Sequence, residues 1–510
     1  MKERGAVRHA ILSVGLPGGR RNRIDPMKPI LFTLAITAYL CSVFFPGALW
    51  SSIVSALSLA VIAAVFRSVT GFVKAAGTVF LTIGGFLLAV GGASLQEALL
   101  SFGYMLNVLS LFALVPLIAI PLRLGKYERG VQAMIRSRVR HSGALYAVTS
   151  SLSYMFCAFM NLAALPMVHQ TIRPSLELYP IQDRDRFVSR AITHGYSMPV
   201  LWSPLAPIMG IVVEMTGVRW IDILPVVIPF SLIGLALDIG MGMWIAKRRI
   251  IRRANGAGAI GELAEAKDSP VEANGVEERL KLAATQGNRA RFADILKSGG
   301  AKHPAQIIAA ILLFNALISI MEGLTNLGFL MLVSVTVVPF ALVWSMLIGQ
   351  GRQFLKEARK SMPEQLLRMQ DQFFVYLSAG FMITAIQTTG AGHVLNEGIA
   401  AFKDWIGSEM FLLCIPFIPF VLAFAGLHPA VGLALAAESL DPAALGLPPH
   451  LTAIAMLTGA TTAFLMGPYN ATAGMMAGLI ERSPYNVSNW NAPYTAAYMG
   501  LSLLLLLILH

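Results

Sequence analysis

Long apolar stretches that carry almost no charge recur along the chain, and they limit what it can fold into. Each covers about 17–25 residues, enough for a helix to cross a hydrocarbon layer about 30 Å thick. In lipid every backbone N–H and C=O needs a partner within the protein, so spanning segments are helices or a closed barrel. The apolar runs are continuous rather than alternating, which favours helices. The sequence therefore predicts an all-α polytopic membrane protein.

The composition agrees with that class and argues against others. The 510 residues are 56% hydrophobic and only 13% charged, and the charged share is about half that of soluble domains. The formal net charge is +12, but the basic residues cluster beside apolar runs, as the positive-inside bias predicts. We therefore expect a lipid bilayer around the chain and no nucleic-acid partner. Cys41, Cys157 and Cys414 show no spacing typical of zinc ligands or of a disulfide framework.

Eleven stretches are predicted to span the membrane as helices. Their ranges are 29–47, 50–66, 74–92, 104–122, 194–213, 222–245, 304–320, 325–349, 370–388, 454–478 and 493–510. Two further apolar stretches, 143–171 and 410–439, each contain a polar or Pro/Gly interruption near the middle. We predict that each is a re-entrant hairpin, which enters and leaves the membrane on the same side.

The distribution of basic residues supports the two hairpins. With the N-terminus in the cytoplasm, every dense Lys/Arg cluster falls on the cytoplasmic side only if neither hairpin crosses. The C-terminus and the loop 389–409 are then external. The prediction divides the chain into a basic cytoplasmic N-terminus, a first membrane repeat, a flexible polar cytoplasmic linker and a second membrane repeat. These four parts are 1–28, 29–246, 247–303 and 304–510.

The two membrane halves resemble each other in sequence. The stretches "CAFMNLAALPM" at 157–167 and "LAFAGLHPAVG" at 422–432 each place Ala-Phe, a polar residue and a proline midway through a hairpin. Likewise "WSPLAPIMG", which contains Pro204, parallels "MGPYNATAG", which contains Pro468. The two Ala-Phe pairs lie 265 positions apart and the two prolines 264. Since the hairpins open to opposite sides, this predicts two inverted repeats, a common build of secondary transporters.

The Pro-centred breaks inside predicted spans point to a binding site. Unwound chain frees backbone N–H and C=O groups, and each unpartnered group in lipid costs several kcal/mol. Freed carbonyls suit a cation, whereas freed N–H groups and a helix N-terminus suit an anion. We predict that the two breaks and the two hairpin tips meet in one substrate- or ion-binding site. The candidate residues are Asn161, Ser203, Pro204, His428, Tyr469, Asn470 and Thr472.

Four of these candidates also have a structural interpretation, which the sequence leaves open. Asn161 could cap the turn of the first hairpin, and His428 could be a hydrogen-bonded interior histidine. Ser203 could bond back to a carbonyl of its own helix, as serine often does. Tyr469 could simply pack against a neighbouring helix.

Two acidic residues and two amphipathic stretches complete the set of candidates. Asp238 lies within a predicted span, where it could pair with a neighbouring helix or relay protons. Glu322, at a short external turn, is predicted to be solvated. The stretches 126–140 and 352–368 combine basic and apolar residues, so they are predicted to lie in the cytoplasmic membrane interface.

This combination of two hairpins, two Pro-centred breaks and a central linker resembles the ion transporter superfamily, which includes divalent anion/sodium symporters, citrate carriers and arsenite exporters. The stretch "GPYNATAGMMAG" is similar to the Thr-Pro-Pro-Asn break of the anion symporters. The hairpin tips, Ser-Asn-Thr in that family, are "MNL" around Asn161 and "LHP" around His428. The resemblance therefore implies sodium and carboxylate contacts, with a possible Na+ site, only at Asn161, Asn470 and Thr472.

The resulting hypothesis is a secondary active transporter of a bacterial inner membrane. It would carry a small, anionic, carboxylate-like organic solute with Na+ or H+ by alternating access, without another cofactor. The resemblance alone implies a homodimer. One alternative is a monovalent cation/proton antiporter, which normally needs an intramembrane carboxylate at its centre. The other is a membrane-embedded enzyme, but the sequence shows no paired carboxylates, HExxH or serine-nucleophile motif, so we expect no enzyme activity.

Overall fold

The computed structural model describes residues 27–128, 130–132, 139, 141–176, 179, 181–261, 303, 305–438, 442 and 445–510. These residues are mostly helical, and no β-strand occurs among them. Within these ranges ten helices are long and apolar enough to cross a membrane, or eleven when one bent pair counts as a span. The chain is therefore an all-α multi-pass membrane protein, as predicted. Most of 1–28, most of the predicted linker and much of 126–140 lie outside the described residues.

The helices of the two halves are numbered in chain order. The first half contains α1 Met27–Phe44, α2 Ala48–Phe66, α3 Gly71–Val90, α4 Leu95–Leu100, α5 Leu106–Leu114, α6 Ala119–Leu124, α7 Ser142–Met160, α8 Ala164–Leu176, α9 Arg184–Ser197, α10 Pro207–Thr216 and α11 Trp220–Gly261. The second half contains α12 Ala305–Leu324, α13 Phe329–Leu347, α14 Gly351–Arg368, α15 Gln370–Thr389, α16 Gly392–Ile406, α17 Ser408–Cys414, α18 Phe417–Phe424, α19 Pro429–Glu438, α20 Pro449–Met466, α21 Ala471–Ile480 and α22 Pro484–Leu509.

Each predicted span coincides with one helix or with two consecutive helices. Two stretches differ from the prediction. The stretch 389–409, predicted to be an external loop, contains the helix α16, and the chain bends by 115° at Gly407, where φ is +87°. The helix α11 runs on to Gly261, so the first part of the predicted linker is helical. The predicted amphipathic stretch 352–368 forms α14, which buries Phe354 and Leu366.

Both predicted hairpins fold back on themselves. The limbs α7 and α8 meet at Asn161, whose φ of +48° is rare for a residue with a side chain. In the second hairpin α17 and α18 form one limb and α19 the other, with Gly426 at φ +94° in the turn. In each hairpin the two limbs pack against one another.

The two predicted breaks interrupt helices. Between α9 and α10 the chain forms a short 3₁₀ turn, Met198–Leu201, and then an irregular stretch that contains the buried Pro204. Between α20 and α21 the interruption is confined to Gly467, Pro468, Tyr469 and Asn470. Each broken helix thus consists of two halves joined by unwound chain.

Two glycines 264 positions apart mark the same close contact in both halves. A Cβ atom at Gly195, on α9, would lie 2.2 Å from the carbonyl oxygen of Ser150 on α7. A Cβ atom at Gly459, on α20, would lie 2.3 Å from the carbonyl oxygen of Pro416, between α17 and α18. Each broken helix therefore packs backbone to backbone against the first limb of its own hairpin.

The second limbs of the hairpins cross over to the other half. The limb α8 packs against α21, and the limb α19 packs against α10. Each second limb therefore contacts the second part of the broken helix of the opposite half. This exchange brings the hairpins and broken helices of the two halves into contact with each other.

Two glutamates, the exposed Glu214 and the partly buried Glu322, tie helix ends of the two halves together. Glu322 accepts hydrogen bonds from the backbone N–H groups of Trp220 (2.9 Å) and Ile221 (3.3 Å) at the start of α11. It is therefore a cap and not the solvated charge that was predicted. Glu214, at the end of α10, accepts from the N–H of Leu330 (3.0 Å) near the start of α13. A carboxylate stabilises the unpartnered N–H groups and the positive end of a helix.

The close glycine contacts give a first testable prediction. We expect Gly195→Ala and Gly459→Ala each to lower the free energy of unfolding by about 1–3 kcal/mol or more, because each methyl group would overlap a backbone carbonyl. Gly240→Ala and Gly474→Ala are the matched controls, since no atom lies within 4 Å of a Cβ there. Thermal melting of the detergent-solubilised protein measures the difference. Equal melting temperatures for all four variants would contradict the packing described.

Candidate functional site

The tip of the first hairpin contacts the first break. The Ser203 hydroxyl donates to the carbonyl oxygen of Ala158 (2.7 Å) and accepts from the N–H of Leu205 (3.2 Å). The Asn161 side chain reaches the carbonyl oxygen of Leu205 through Nδ2 at 3.5 Å. Asn161 and Ser203 therefore both belong to the contact between the first hairpin tip and the first break. The hydroxyl of Ser203 bonds these two interruptions together.

The tip of the second hairpin contacts the second break. The ring of His428 lies edge-on to the ring of Phe464, with 5.8 Å between the centroids. Gly467 approaches this hairpin so closely that a Cβ atom there would lie 3.0 Å from the Cβ of Ala423. The contact of tip and break in the first half thus has a counterpart in the second.

The His428 ring is held by two hydrogen bonds at one nitrogen. Its Nδ1 atom accepts from the backbone N–H of Ala430 (3.2 Å) and lies 2.9 Å from the hydroxyl of Tyr376. A neutral imidazole carries its hydrogen on one nitrogen only, and here Nδ1 is an acceptor. The neutral ring of His428 therefore carries its N–H at Nε2.

Tyr196 connects the two halves at the centre. Its hydroxyl donates to Oδ1 of Asn161 at 2.9 Å, and its ring lies edge-on to Phe464, with 6.3 Å between the centroids. The same hydroxyl lies beside the hydroxyl of Thr472. Because Phe464 also contacts His428, one continuous set of contacts joins both tips to the second break. Sequence reasoning missed Tyr196; its place in the last turn before a break was the available signal.

Asn470 stabilises the second break itself. Its Oδ1 accepts from the N–H of Ala473 (2.7 Å), and its Nδ2 donates to the carbonyls of Ala463 (3.0 Å) and Phe464 (2.9 Å). It is the N-cap of α21 and also satisfies carbonyls at the end of α20. The amide is therefore occupied in holding the unwound chain, and its contact with a solute or Na+ stays a prediction.

Thr472 differs from the other candidates because its buried hydroxyl forms no hydrogen bond of normal geometry among the described residues, although it lies beside the hydroxyl of Tyr196. A buried hydroxyl without a hydrogen bond costs about 1–3 kcal/mol, so such groups mark places where a ligand or water can bind.

Tyr469 is the opposite case. Its side chain is 59% exposed and pairs with the hydroxyl of Tyr485, so the structure does not bring it together with the other candidates.

A second buried polar cluster surrounds Asp238 on α11. The Asp238 carboxylate is fully buried and accepts hydrogen bonds from the hydroxyls of Tyr146 and Ser150, both at 2.6 Å. Nδ1 of His194, on α9, lies 2.6 Å from Oδ1 of Asp238. Sequence reasoning identified the aspartate but missed the histidine, which stands in a polar segment ahead of the first break.

This cluster also involves the last helix. Nε2 of His194 lies 3.0 Å from Oδ1 of Asn491 on α22, and Nδ2 of Asn491 donates to the carbonyl of Leu465 at 2.9 Å. The Tyr494 ring stacks on the imidazole, with 4.1 Å between the centroids. We call Asp238, His194, Tyr146, Ser150 and Asn491 the α11 cluster. It joins four helices and ends at the last turn of α20.

Comparisons with known proteins agree with this architecture at the level of the fold. No protein-family model and no curated protein sequence matches the chain. The crystal structure of the Alcanivorax borkumensis YdaH transporter is similar, with a TM-score of 0.55 and 14% sequence identity. The match covers 85% of this chain and 98% of that chain. At that identity the likeness is one of fold: this multi-pass membrane protein is built like a known transporter.

The contacts of the second break predict opposite effects for two neighbouring substitutions. We expect Asn470→Ala to lower the free energy of unfolding by about 1–3 kcal/mol or more, because it leaves buried backbone groups without partners. Thr472→Val should leave stability unchanged or raise it slightly, since its hydroxyl forms no hydrogen bond of normal geometry. Thermal melting in detergent without added solute measures both. A larger loss for Thr472→Val than for Asn470→Ala would show that the roles are reversed.

Proposed function

We propose that the chain is a secondary active transporter that moves a small anionic organic solute across a bacterial inner membrane by alternating access. The observation that carries this proposal is the convergence of four interruptions, two from each half, around Tyr196 and Phe464. Unwound chain in the interior of a membrane protein is tolerated where it lines a cavity or a ligand site. The buried hydroxyl of Thr472, which forms no hydrogen bond of normal geometry, supports a ligand at this place. The fold that the chain shares with a transporter supports transport as its function.

An anionic solute is favoured because four helix N-termini begin at the interruptions. The helices α8, α10, α19 and α21 start directly after the first tip, the first break, the second tip and the second break. The N-terminus of a helix carries a partial positive charge and unpartnered N–H groups, which suit an anion. The side chains that join the interruptions are neutral, among them Asn161, Tyr196 and Thr472, so they leave this positive potential in place.

The proposed moving parts are the hairpins with their broken helices, and the proposed scaffold is the bundle of α1, α2, α3 and α15. In that bundle α15 packs against α2 and α3, and α1 packs against α2. The matching close contacts at Gly195 and Gly459 support the two halves as inverted repeats. A cytoplasmic N-terminus, an external C-terminus and a homodimer formed through the scaffold belong to the same proposal, as does membership of the ion transporter superfamily.

A monovalent cation/proton antiporter is the second candidate, because the α11 cluster provides the buried intramembrane carboxylate that such proteins need. The same cluster argues against a membrane-embedded hydrolase, although it contains a serine, a histidine and an aspartate. In a catalytic triad the histidine lies between the serine and the acid. Here the hydroxyl of Ser150 and the ring of His194 both bond to Asp238, so the histidine does not lie between the serine and the acid.

Flux into proteoliposomes tests the proposal. We expect saturable uptake of at least one acid from a panel of radiolabelled succinate, citrate and benzoate. Thr472→Val and Asn161→Ala should reduce that uptake at least about tenfold, which corresponds to roughly 1.4 kcal/mol of lost interaction. Thr78→Val and Asn486→Ala, at exposed positions, are the matched controls and should transport like the native protein.

Two outcomes would contradict the proposal. Proton movement driven by a cation gradient, without uptake of any organic acid, would support the antiporter instead. Normal uptake by both Thr472→Val and Asn161→Ala would place the solute site elsewhere in the molecule.

A further inference from the structure

The hydrogen bonds of the α11 cluster fix where one hydrogen of His194 must be. Nδ2 of Asn491 donates to the carbonyl of Leu465, which orients the amide so that its oxygen faces His194. An amide oxygen only accepts hydrogen bonds. Nε2 of His194, 3.0 Å from that oxygen, therefore carries a hydrogen.

The other ring nitrogen then requires a second hydrogen. Nδ1 of His194 faces the carboxylate oxygen Oδ1 of Asp238 at 2.6 Å, a distance typical of a short, charge-assisted hydrogen bond. A neutral ring with its hydrogen on Nε2 and an ionised Asp238 would place two lone pairs against each other at that distance. One proton must therefore lie between the two residues, on His194 or on Asp238. The pair as seen holds one exchangeable proton.

Several side chains surround the pair. Tyr146 and Ser150, both on α7, donate hydrogen bonds to Asp238. The face of the Tyr494 ring on α22 lies against the imidazole of His194. Arg190, one helical turn before His194 on α9, is buried and acts electrostatically on the pair.

Other charged groups lie farther along α9 and on its neighbour α8. The helix α8, which packs against α9, also carries charge. Its His169 interacts electrostatically with Arg173 and with Asp185, near the start of α9. About ten residues, or roughly 15 Å of helix, separate that start from His194. The pair therefore exchanges its single proton under the influence of Tyr146, Arg190 and Tyr494.

The proton is mechanically linked to both breaks. His194 lies on α9, which ends at the first break, and Asn491 bonds to Leu465 in the last turn of α20, which ends at the second. The neighbouring carbonyl of Phe464 accepts from Asn470, the residue that holds the second break. Loss of the proton would turn the short contact between His194 and Asp238 into a repulsive one. Separation of α9 from α11 would then act on the chain at both interruptions.

We propose that the His194–Asp238 pair is the proton-binding site that couples this transporter to the proton gradient. The pair takes one proton from water on one side of the membrane and returns it to water on the other, so no other chemical group changes. This inference rests on the transport function proposed above, and it assigns H+ rather than Na+ as the coupling ion.

The test uses Asp238→Asn and His194→Gln in proteoliposomes, with the labelled succinate, citrate and benzoate of the flux panel. In the native protein an imposed pH gradient should drive accumulation of the carried acid. Both variants should lose that accumulation but keep exchange of labelled for unlabelled acid at equal pH, because the solute site is intact. Asp222→Asn, on the exposed start of α11, and His450→Gln, at the exposed start of α20, are the matched controls.

Each outcome decides a different part of the proposal. If both variants still accumulate acid in response to the pH gradient, the coupling role is wrong and the transport function stands. The same holds if a Na+ gradient, but not a pH gradient, drives accumulation by the native protein. A native protein that moves none of the acids overturns both. If the variants do not fold, ¹⁵N NMR of the histidine-labelled native protein in nanodiscs decides. Ring ¹⁵N shifts of His194 that change with pH as the pair gains and loses one proton support the site, and shifts that do not change with pH contradict it.

Discussion

The structure depends on one constraint: every backbone N–H and C=O group that is buried in a membrane protein needs a partner. Continuous helices satisfy it for most of the chain. Four segments do not, and their freed groups are satisfied by a few side chains. Asn470 serves three backbone groups at the second break, and Ser203 joins the first break to the first hairpin tip. The two halves must interlock at the centre because the interruptions are stable only where they meet.

The same constraint explains why the centre and the α11 cluster belong to one system. The last turn of α20 has two neighbouring carbonyls that accept from different places: Phe464 from Asn470 at the break, and Leu465 from Asn491 in the α11 cluster. A change in the protonation of His194 and Asp238 thus acts on the chain that holds the unwound segment. Solute and proton would be coupled through shared backbone groups and not through direct contact.

The helices, hairpins and breaks could be predicted from the sequence because each depends on local residues: apolar runs, prolines and glycines. The meeting of Asn161 with Ser203 followed from the placement of the interruptions at corresponding points. What could not be predicted depends on which helices are neighbours. His194 finds Asp238 on the next long helix and Asn491 nearly 300 residues further on. Glu322 looks like a surface charge until α11 is seen to start beside it, and Tyr196 looks like an ordinary core residue. The capping role of Asn470 could have been predicted from the sequence, since an asparagine directly before a helix is a common N-cap.

Cysteine labelling at Thr472 tests most directly whether water and solute reach the meeting point of the four interruptions. The chain with Cys41, Cys157 and Cys414 replaced by alanine and with Thr472→Cys would be treated in proteoliposomes with a small, charged, membrane-impermeant thiol reagent. We expect that the thiol reacts, and that the carried organic acid protects it from the reagent. A thiol as inert as one placed at the lipid-facing position Ile83, with or without the acid, would contradict a solute site at the meeting point of the four interruptions.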